Sequence, residues 1–350
     1  MDVLLYGATG YTGALIARAA AGRGQSLTLA GRRADAVEAL ADELGVPWRA
    51  APLEDAAGLD RLLAGHGLVL HCAGPYVHTA APMVAACLRT RAHYLDITGE
   101  IPVLEATAAR DAAARAAGIV LLPGVGFDVV PSDCLAVHLH RRLPGATSLT
   151  LAFRGVGGIS RGTLLSAIEH LDRPGAIRRG GVLTPVPVAW RTRTVDFGDG
   201  RPRPAVSFPW GDVVTAHHST GIGDIEVYMA LPPRAIRLMR RARPFRVALA
   251  SRPGRALLRA LVRRRPPGPG PEARARGASW IWGEVRARDG RAVRARVHGP
   301  EGYSMTVDAA LAAVARVRAG GVPPGFQTPG TAFGPDFVLS LPGVSREDLP

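Results

Sequence analysis

The chain has 350 residues, 47% of them hydrophobic, and a formal net charge of +14. It contains no lysine, which excludes Schiff-base and P-loop lysine chemistry. Its three cysteines lack metal-ligand spacing. No run approaches the ~20 apolar residues of a membrane-crossing helix, and a strand beginning at residue 3 leaves no room for a signal peptide, so a cytoplasmic protein of two domains is expected.

The first element is a short apolar strand, Val3–Tyr6. Gly7-Ala8-Thr9-Gly10-Tyr11-Thr12-Gly13 follows at once, then an alanine-rich helical pattern over Ala14–Ala21. This is the layout of a dinucleotide-binding turn. Gly7 permits a tight turn off the strand, Gly10 lets the backbone approach a pyrophosphate, and Gly13 lets the helix lie close to the sheet. Thr9, Tyr11 and Thr12 share that turn, where helix N–H groups face the phosphates. The second strand, Leu27–Ala30, ends in Gly31-Arg32-Arg33, with no carboxylate to hold a ribose 2′-hydroxyl. Arg32 and Arg33 suit a 2′-phosphate, so the expected cofactor is NADP(H).

A helix over Asp35–Leu44, a strand near Trp48, a helix over Asp55–Leu63 and a strand over Leu68–Cys72 continue the alternation. A helix over Ala80–Leu88, a strand over Tyr94–Ile97, a long helix over Val103–Ala117 and a strand over Ile119–Leu122 complete six strands. The pattern predicts an α/β class, with a Rossmann-type doubly wound parallel sheet over residues 1–130. Beyond Pro131 it changes. A helix over Asp133–Arg142 precedes strands over Ser148–Phe153, Val186–Thr194 and Ile225–Leu231 and a helix over Thr163–Leu171. Asp289-Gly290 signals a hairpin between Ser279–Arg288 and Ala292–His298, and Val307–Arg318 is a last helix. Residues 131–325 thus read as a second, α+β substrate domain. Residues 326–350 form a C-terminal segment expected to pack back on the first. Pro266–Pro271, in a basic stretch over 251–277, predicts a mobile loop.

No acid lies between Glu226 and Glu272, whereas twelve arginines fall from Arg234 to Arg265, leaving +2 for the rest of the chain. Arg255, Arg259 and Arg263 repeat every four residues, which puts them on one helical face, with Leu257, Leu258, Leu261 and Val262 largely on the other. Pro244 and Pro253 divide the region into short helices. The face is either simply solvated or a docking surface for an acidic carrier protein or an anionic membrane. Nucleic acid is disfavoured, because neither a recognition motif nor interleaved aromatics accompany the charge.

Ligands of doubly wound sheets sit beyond the carboxyl ends of the strands. The fourth strand ends in Ala73-Gly74-Pro75-Tyr76, the fifth in Asp96-Ile97-Thr98-Gly99-Glu100, and the sixth leads through Gly126 to Asp128. Tyr76, Asp96, Glu100 and Asp128 are therefore the candidate catalytic acids; two carboxylates held close raise one pKa. Structural alternatives stand beside these roles. Glu100 can cap the helix starting near Pro102, Asp96 can hold backbone donors, Ser132 and Asp133 can cap the next helix, and His93 sits at the far end of its strand. His217 and His218, if on a strand, face opposite sides, so at most one reaches a pocket. No metal is expected, since hydride transfer needs none.

The glycine turn, Gly31-Arg32, Cys72–Tyr76, His93–Glu100, Pro123–Asp133, Trp210–Asp212, Ser219–Ile222, Gly302-Tyr303, Thr328-Pro329 and Phe333-Gly334 occur in order. As a set they resemble the saccharopine dehydrogenase-like oxidoreductases, and among them most the actinobacterial branch that includes the trans-acting enoyl reductases. The resemblance implies that Ala73, Gly74 and Pro75 meet the nicotinamide-side ribose and that the loop of Gly126 and Asp128 borders the nicotinamide. This chain departs from the family pattern at Ser160-Arg161-Gly162-Thr163, where Ser-Gly-Gly-Thr is common, and at Pro52, where an aspartate often follows the third strand. Ser160, Arg161, Thr163 and His218 become the substrate-side candidates. The implied activity is NADPH-dependent reduction of a polarised C=C, as in an enoyl thioester of lipid or polyketide secondary metabolism. The alternatives are C=N reduction, as in the saccharopine branch, and a non-catalytic NADP(H) sensor. The substrate is a small molecule, free or held on an acyl carrier protein, and a homo-oligomer is expected.

Overall fold

Strand β1 (Val3–Tyr6) is wholly buried, and Gly7 ends it with a φ of +83°. A Cβ at Gly7 would lie 2.6 Å from the Ala73 nitrogen, so conformation and space both demand glycine. Helix α1 (Tyr11–Gly22) begins at once, and a Cβ on Gly13 would collide with the Gly7 carbonyl oxygen. The computed structural model describes all residues, 1–350. It continues with β2 (Thr28–Gly31), α2 (Ala34–Leu44), β3 (Trp48–Ala50), α3 (Ala56–Leu63), β4 (Leu68–His71), α4 (Tyr76–Thr90) and β5 (His93–Asp96). Then come α5 (Ile101–Ala108), α6 (Asp111–Ala117) and β6 (Val120–Leu122). The long helix expected over Val103–Ala117 is thus two helices. The Thr107 hydroxyl turns back on the Val103 carbonyl at 2.8 Å, a bond that bends helices, just before the break at Ala109 and Arg110.

From α7 (Val130–Arg142) the chain builds a second unit: β7 (Ser148–Val156), α8 (Arg161–Glu169), β8 (Gly175–Arg179), β9 (Val182–Val186), β10 (Thr192–Val195) and β11 (Arg203–Ser207). It continues through α9 (Asp212–Thr220), β12 (Asp224–Ala230), α10 (Pro233–Arg241), α11 (Arg246–Ala250), α12 (Arg252–Arg263), α13 (Pro271–Arg276), β13 (Ala278–Arg286) and β14 (Ala292–Pro300). Helix α14 (Gly302–Arg318), β15 (Gly325–Phe326) and α15 (Pro329–Phe333) follow, and β16 (Ser345–Leu349) is last. The two compact units are Met1–Val130 with Tyr303–Phe333, and Pro131–Gly302 with Gly334–Pro350.

The first unit holds a seven-stranded parallel sheet in the order β15-β6-β5-β4-β1-β2-β3, with helices between the strands. Strand order reverses between β1 and β4. Leu4, Tyr6, Val69, Tyr94 and Leu121 form part of a core with Leu59, Leu62, Met83 and Cys87 from α3 and α4. The second unit holds a mixed sheet in the order β10-β11-β12-β7-β13-β14-β16, with the β8–β9 hairpin attached to β12. Gly283 lets α7 approach, since a Cβ there would meet Leu139 at 2.6 Å. No helix is long and apolar enough to cross a membrane.

Four sequence expectations are corrected. Residues 303–325 belong to the first unit, because β15 adds to the open edge of β6; only 326–333 of the C-terminal segment does so, and β16 pairs with β14 instead. Val186–Thr194 is not a strand: β9 ends at Val186 and Ala189 takes a φ of +54° before β10 starts. His217 and His218 lie on helix α9, not on a strand. The Pro266–Pro271 loop is tied down, Pro267 accepting from the Arg161 N–H at 2.9 Å and Pro269 from Arg274 at 3.0 Å, and Pro271 opens α13.

Gly13→Ala forces backbone apart and is expected to lower stability by more than ~2 kcal/mol in denaturant titration. Gly22→Ala, at the open end of the same helix with nothing within 4 Å, should be neutral or gain roughly 0.5–1 kcal/mol.

Candidate cofactor and active site

At the point where strand order reverses, the turn after β1 abuts the end of β4 through Gly7 and Ala73. Gly10 is the N-cap of α1 and offers no side chain to its amides, and no acid stands in the first turn. The positive end of α1 is thus directed where ligands of such sheets bind. Tyr11 meets Tyr303 edge-on, ring centroids 5.1 Å apart. The Thr306 hydroxyl accepts from the Phe127 N–H at 3.0 Å, and Gly126 packs against Thr306 and Ile97. Tyr303 and Thr306 were missed by sequence reasoning, which assigned their helix to the other domain; Gly302-Tyr303 among the family motifs was the available signal.

Arg32 and Arg33 follow β2 and are both exposed, Arg33 standing at the N-cap of α2. The Tyr6 hydroxyl donates to the Ala51 carbonyl at 2.9 Å. Burial raises its pKa to about 12, with the charge of Glu54 raising and that of Arg32 lowering it. The end of β2 carries no acid, but Glu54 arrives near it from the loop after β3.

The four candidate acids lie close together in the first unit but in different states. Asp96 is fully buried at the end of β5. It accepts from the Tyr94 hydroxyl at 2.6 Å and from the Thr98 and Gly124 N–H groups at 2.9 Å each. Burial still outweighs these donors and lifts its pKa to about 6. Glu100 does not use its side chain on α5, which it precedes. Its two oxygens accept from the Tyr76 and Val77 N–H groups at 2.9 Å each and so cap α4. Tyr76 is buried, and its hydroxyl donates back to the His71 carbonyl at 3.3 Å. Burial first, then nearby acids, pushes that phenol well above its usual range. Asp128 is partly buried, its side chain packed against Gly99. Burial and then the charge of Glu100 raise its pKa to about 7.

His71, absent from the sequence candidates, organises the loop after β4. Its Nε2 lies 3.1 Å from the Thr79 hydroxyl, which itself donates to the Ala73 carbonyl at 2.5 Å. Nε2 therefore carries the proton. Burial lowers the pKa to about 3, so the ring is neutral. The pattern of a histidine closing an apolar strand was its only sequence trace. His93 accepts from the Val120 N–H at 2.9 Å and joins β5 to β6.

The substrate-side candidates lie in the second unit. Ser160 is the N-cap of α8, its hydroxyl accepting from the Thr163 N–H at 3.2 Å and lying 3.1 Å from the Thr163 hydroxyl. Arg161 reaches the Arg263 carbonyl at 3.4 Å, and His218 is exposed on α9. Ser132 and Asp133 lie inside α7 rather than capping it; Asp133 accepts from the Ser219 hydroxyl at 2.7 Å.

Residues 3–122 match the model of the saccharopine dehydrogenase NADP-binding domain. The saccharopine dehydrogenase NADP-binding domain gives NADP(H) as the cofactor, and the glycine cradle and the side-chain-free cap of α1 fit it. Over 151 residues the chain is 34% identical to a trans-acting enoyl reductase of Mycobacterium ulcerans, covering 40% of this chain and 36% of that protein. It is 35% identical to a trans-acting enoyl reductase of Mycobacterium leprae over 152 residues, covering 41% and 36%. The chain thus spans just over a third of those relatives' lengths. The whole chain and the whole of saccharopine dehydrogenase (L-Glu forming) from Saccharomyces cerevisiae share a fold, with a TM-score of 0.68 at 14% identity.

Two titrations test the acid pair beside this NADP-binding domain. Glu100→Gln removes the charge that raises Asp128, so the Asp128 pKa, read by carboxyl NMR, should fall from about 7. Asp128 has a raised folded pKa, so its favourable contribution is complete below the unfolded value of ~3.9 and is lost as pH rises through the folded one. Asp128→Asn should therefore melt about 2–4 °C above the parent at pH 8 and lose that advantage near pH 4.

Proposed function

We propose that this chain is an NADPH-dependent reductase of a C=C bond conjugated to a thioester carbonyl. Asp128 carries the reading: a partly buried carboxyl with a pKa of about 7, at the carboxyl end of a parallel sheet and beside the loop that follows β4. A proton donor of that pKa suits general-acid work at neutral pH. The name of the mycobacterial relatives supports an enoyl substrate.

NADPH, when bound, supplies the hydride. The turn from Gly7 to Gly13 and the amides of α1 would hold its pyrophosphate. Arg32 and Arg33 would hold the 2′-phosphate. Ala73, Gly74, Pro75 and Gly126 would flank the nicotinamide ribose. Glu100 caps the N-terminus of α4 with both oxygens, where negative charge is favoured, and its charge in turn favours the protonated form of Asp128. Asp128 gives that proton to the substrate α-carbon as the β-carbon is reduced, and recovers it from solvent. Asp96 and Tyr76 act as positioning residues: one ties the loops after β5 and β6, the other fixes the start of α4.

Asp128→Asn should lower kcat for enoyl-thioester reduction by ~10² with the Kd for NADPH unchanged. Full activity of that variant would remove Asp128 from the chemistry, and turnover of imines but not enoyl thioesters would replace the substrate class. Arg32→Ala should weaken NADPH binding at least ~10-fold in fluorescence titration while leaving NADH binding unchanged.

A further inference from the structure

The arginine-rich stretch does not separate into an arginine face turned to solvent and a leucine face turned inward. Helix α12 packs against α8. Arg255 pairs with Asp172 at 2.8 Å and Arg259 with Glu169 at 2.7 Å. Arg240, Arg243 and Arg246 also reach inward, to carbonyls of residues 171–189. Two apolar side chains of α12 stand in solvent: Leu257 is 63% and Leu261 52% exposed, one turn apart on the same face, while Leu258 and Val262 are half-buried on the face of Arg255 and Arg259. Leu238, Phe245 and Val247 are 64–85% exposed on the two helices and the turn just before it. Five of the ten exposed large apolar side chains of the chain thus fall within 24 residues, which is not the scatter of an ordinary surface. The seven remaining arginines, from Arg234 to Arg265, are exposed, and no acid lies between Glu226 and Glu272.

We propose that α10–α12 form a peripheral docking surface for an anionic lipid membrane, with Phe245, Leu257 and Leu261 entering the headgroup–acyl boundary and Arg264 and Arg265 meeting lipid phosphates. Charge complementarity selects the sign of the surface. Single apolar side chains standing out from a basic field select lipid over a folded partner: acyl chains receive such projections without a matching pocket. Guanidinium groups bind phosphate oxygens bidentately. Helices α10–α12 belong to the second unit and hold none of the residues assigned to NADPH, so this inference stands independently of the proposed reductase activity.

The test is co-sedimentation with vesicles of phosphatidylcholine alone or mixed with phosphatidylglycerol, at low and high salt. The parent should sediment with the mixed vesicles only, and less at high salt, since the Debye length is ~10 Å at 0.1 M and ~3 Å at 1 M. Leu257→Ser/Leu261→Ser and Arg264→Gln/Arg265→Gln should each weaken binding at least ~10-fold. Both alter exposed positions, and unchanged melting temperatures would show that the variants are folded. In Leu257→Trp, the indole emission should shift to the blue with mixed vesicles only. Failure to bind mixed vesicles overturns the proposal. So does binding that the leucine pair does not affect, which would be adsorption of a basic protein. A dimer, or a complex with an acyl carrier protein, that the leucine pair abolishes in the absence of vesicle binding would assign the surface to a protein instead.

Discussion

No side chain separates the turn after β1, the first turn of α1 and the end of β4. Gly7 faces Ala73 backbone to backbone, and Gly13 rests on the Gly7 carbonyl. That contact fixes the separation of the two strands at which the sheet reverses its winding, and it aims the uncapped end of α1 along their carboxyl ends. The later loops are then arranged around it. His71 and Thr79 lock the backbone of Ala73, and Glu100 draws the start of α4 to the end of β5.

Carboxylates near this point divide by what surrounds them. Asp96 has three donors and no exposure, and desolvation still prevails over the hydrogen bonds. Its value lies in joining two loops, which follows from one oxygen serving both Thr98 and Gly124. Glu100 sits at a helix N-terminus, where negative charge is favoured. Asp128 is raised further, to about 7, by burial and then by the charge of Glu100. Three acids in one small region thus hold three different relations to the proton.

The glycine turn, Arg32-Arg33 and the three strand-end loops were legible because each is a local matter: a turn, a strand end and a helix start within a few residues. The state of the acids was not. Which helix Glu100 caps depends on α4 lying beside β5, a contact 24 residues distant along the chain. Strand β15 has two residues and leaves no periodic pattern. The four-residue spacing of Arg255 and Arg259 correctly put them on one helical face, but spacing cannot say which face is covered. Glu169 and Asp172 on the neighbouring α8 segment draw Arg259 and Arg255 to the covered side, and Leu257 and Leu261 are left in solvent. Ala189, at positive φ, ended a strand that composition alone would have continued.

The placement of β15 bears on how the protein is made. Strand β6 pairs with β5 on one side and with Gly325-Phe326 on the other. When the first 130 residues have left the ribosome, the N-terminal sheet lacks its last strand, and the backbone of β6 stands as an open edge. Roughly 200 further residues must be translated before that edge closes, on the order of 10–40 s at typical synthesis rates. Tyr303 and Thr306 arrive in the same late instalment. During this interval the nascent chain carries a template for pairing with other chains, and its dinucleotide turn lacks the α14 residues that pack against it.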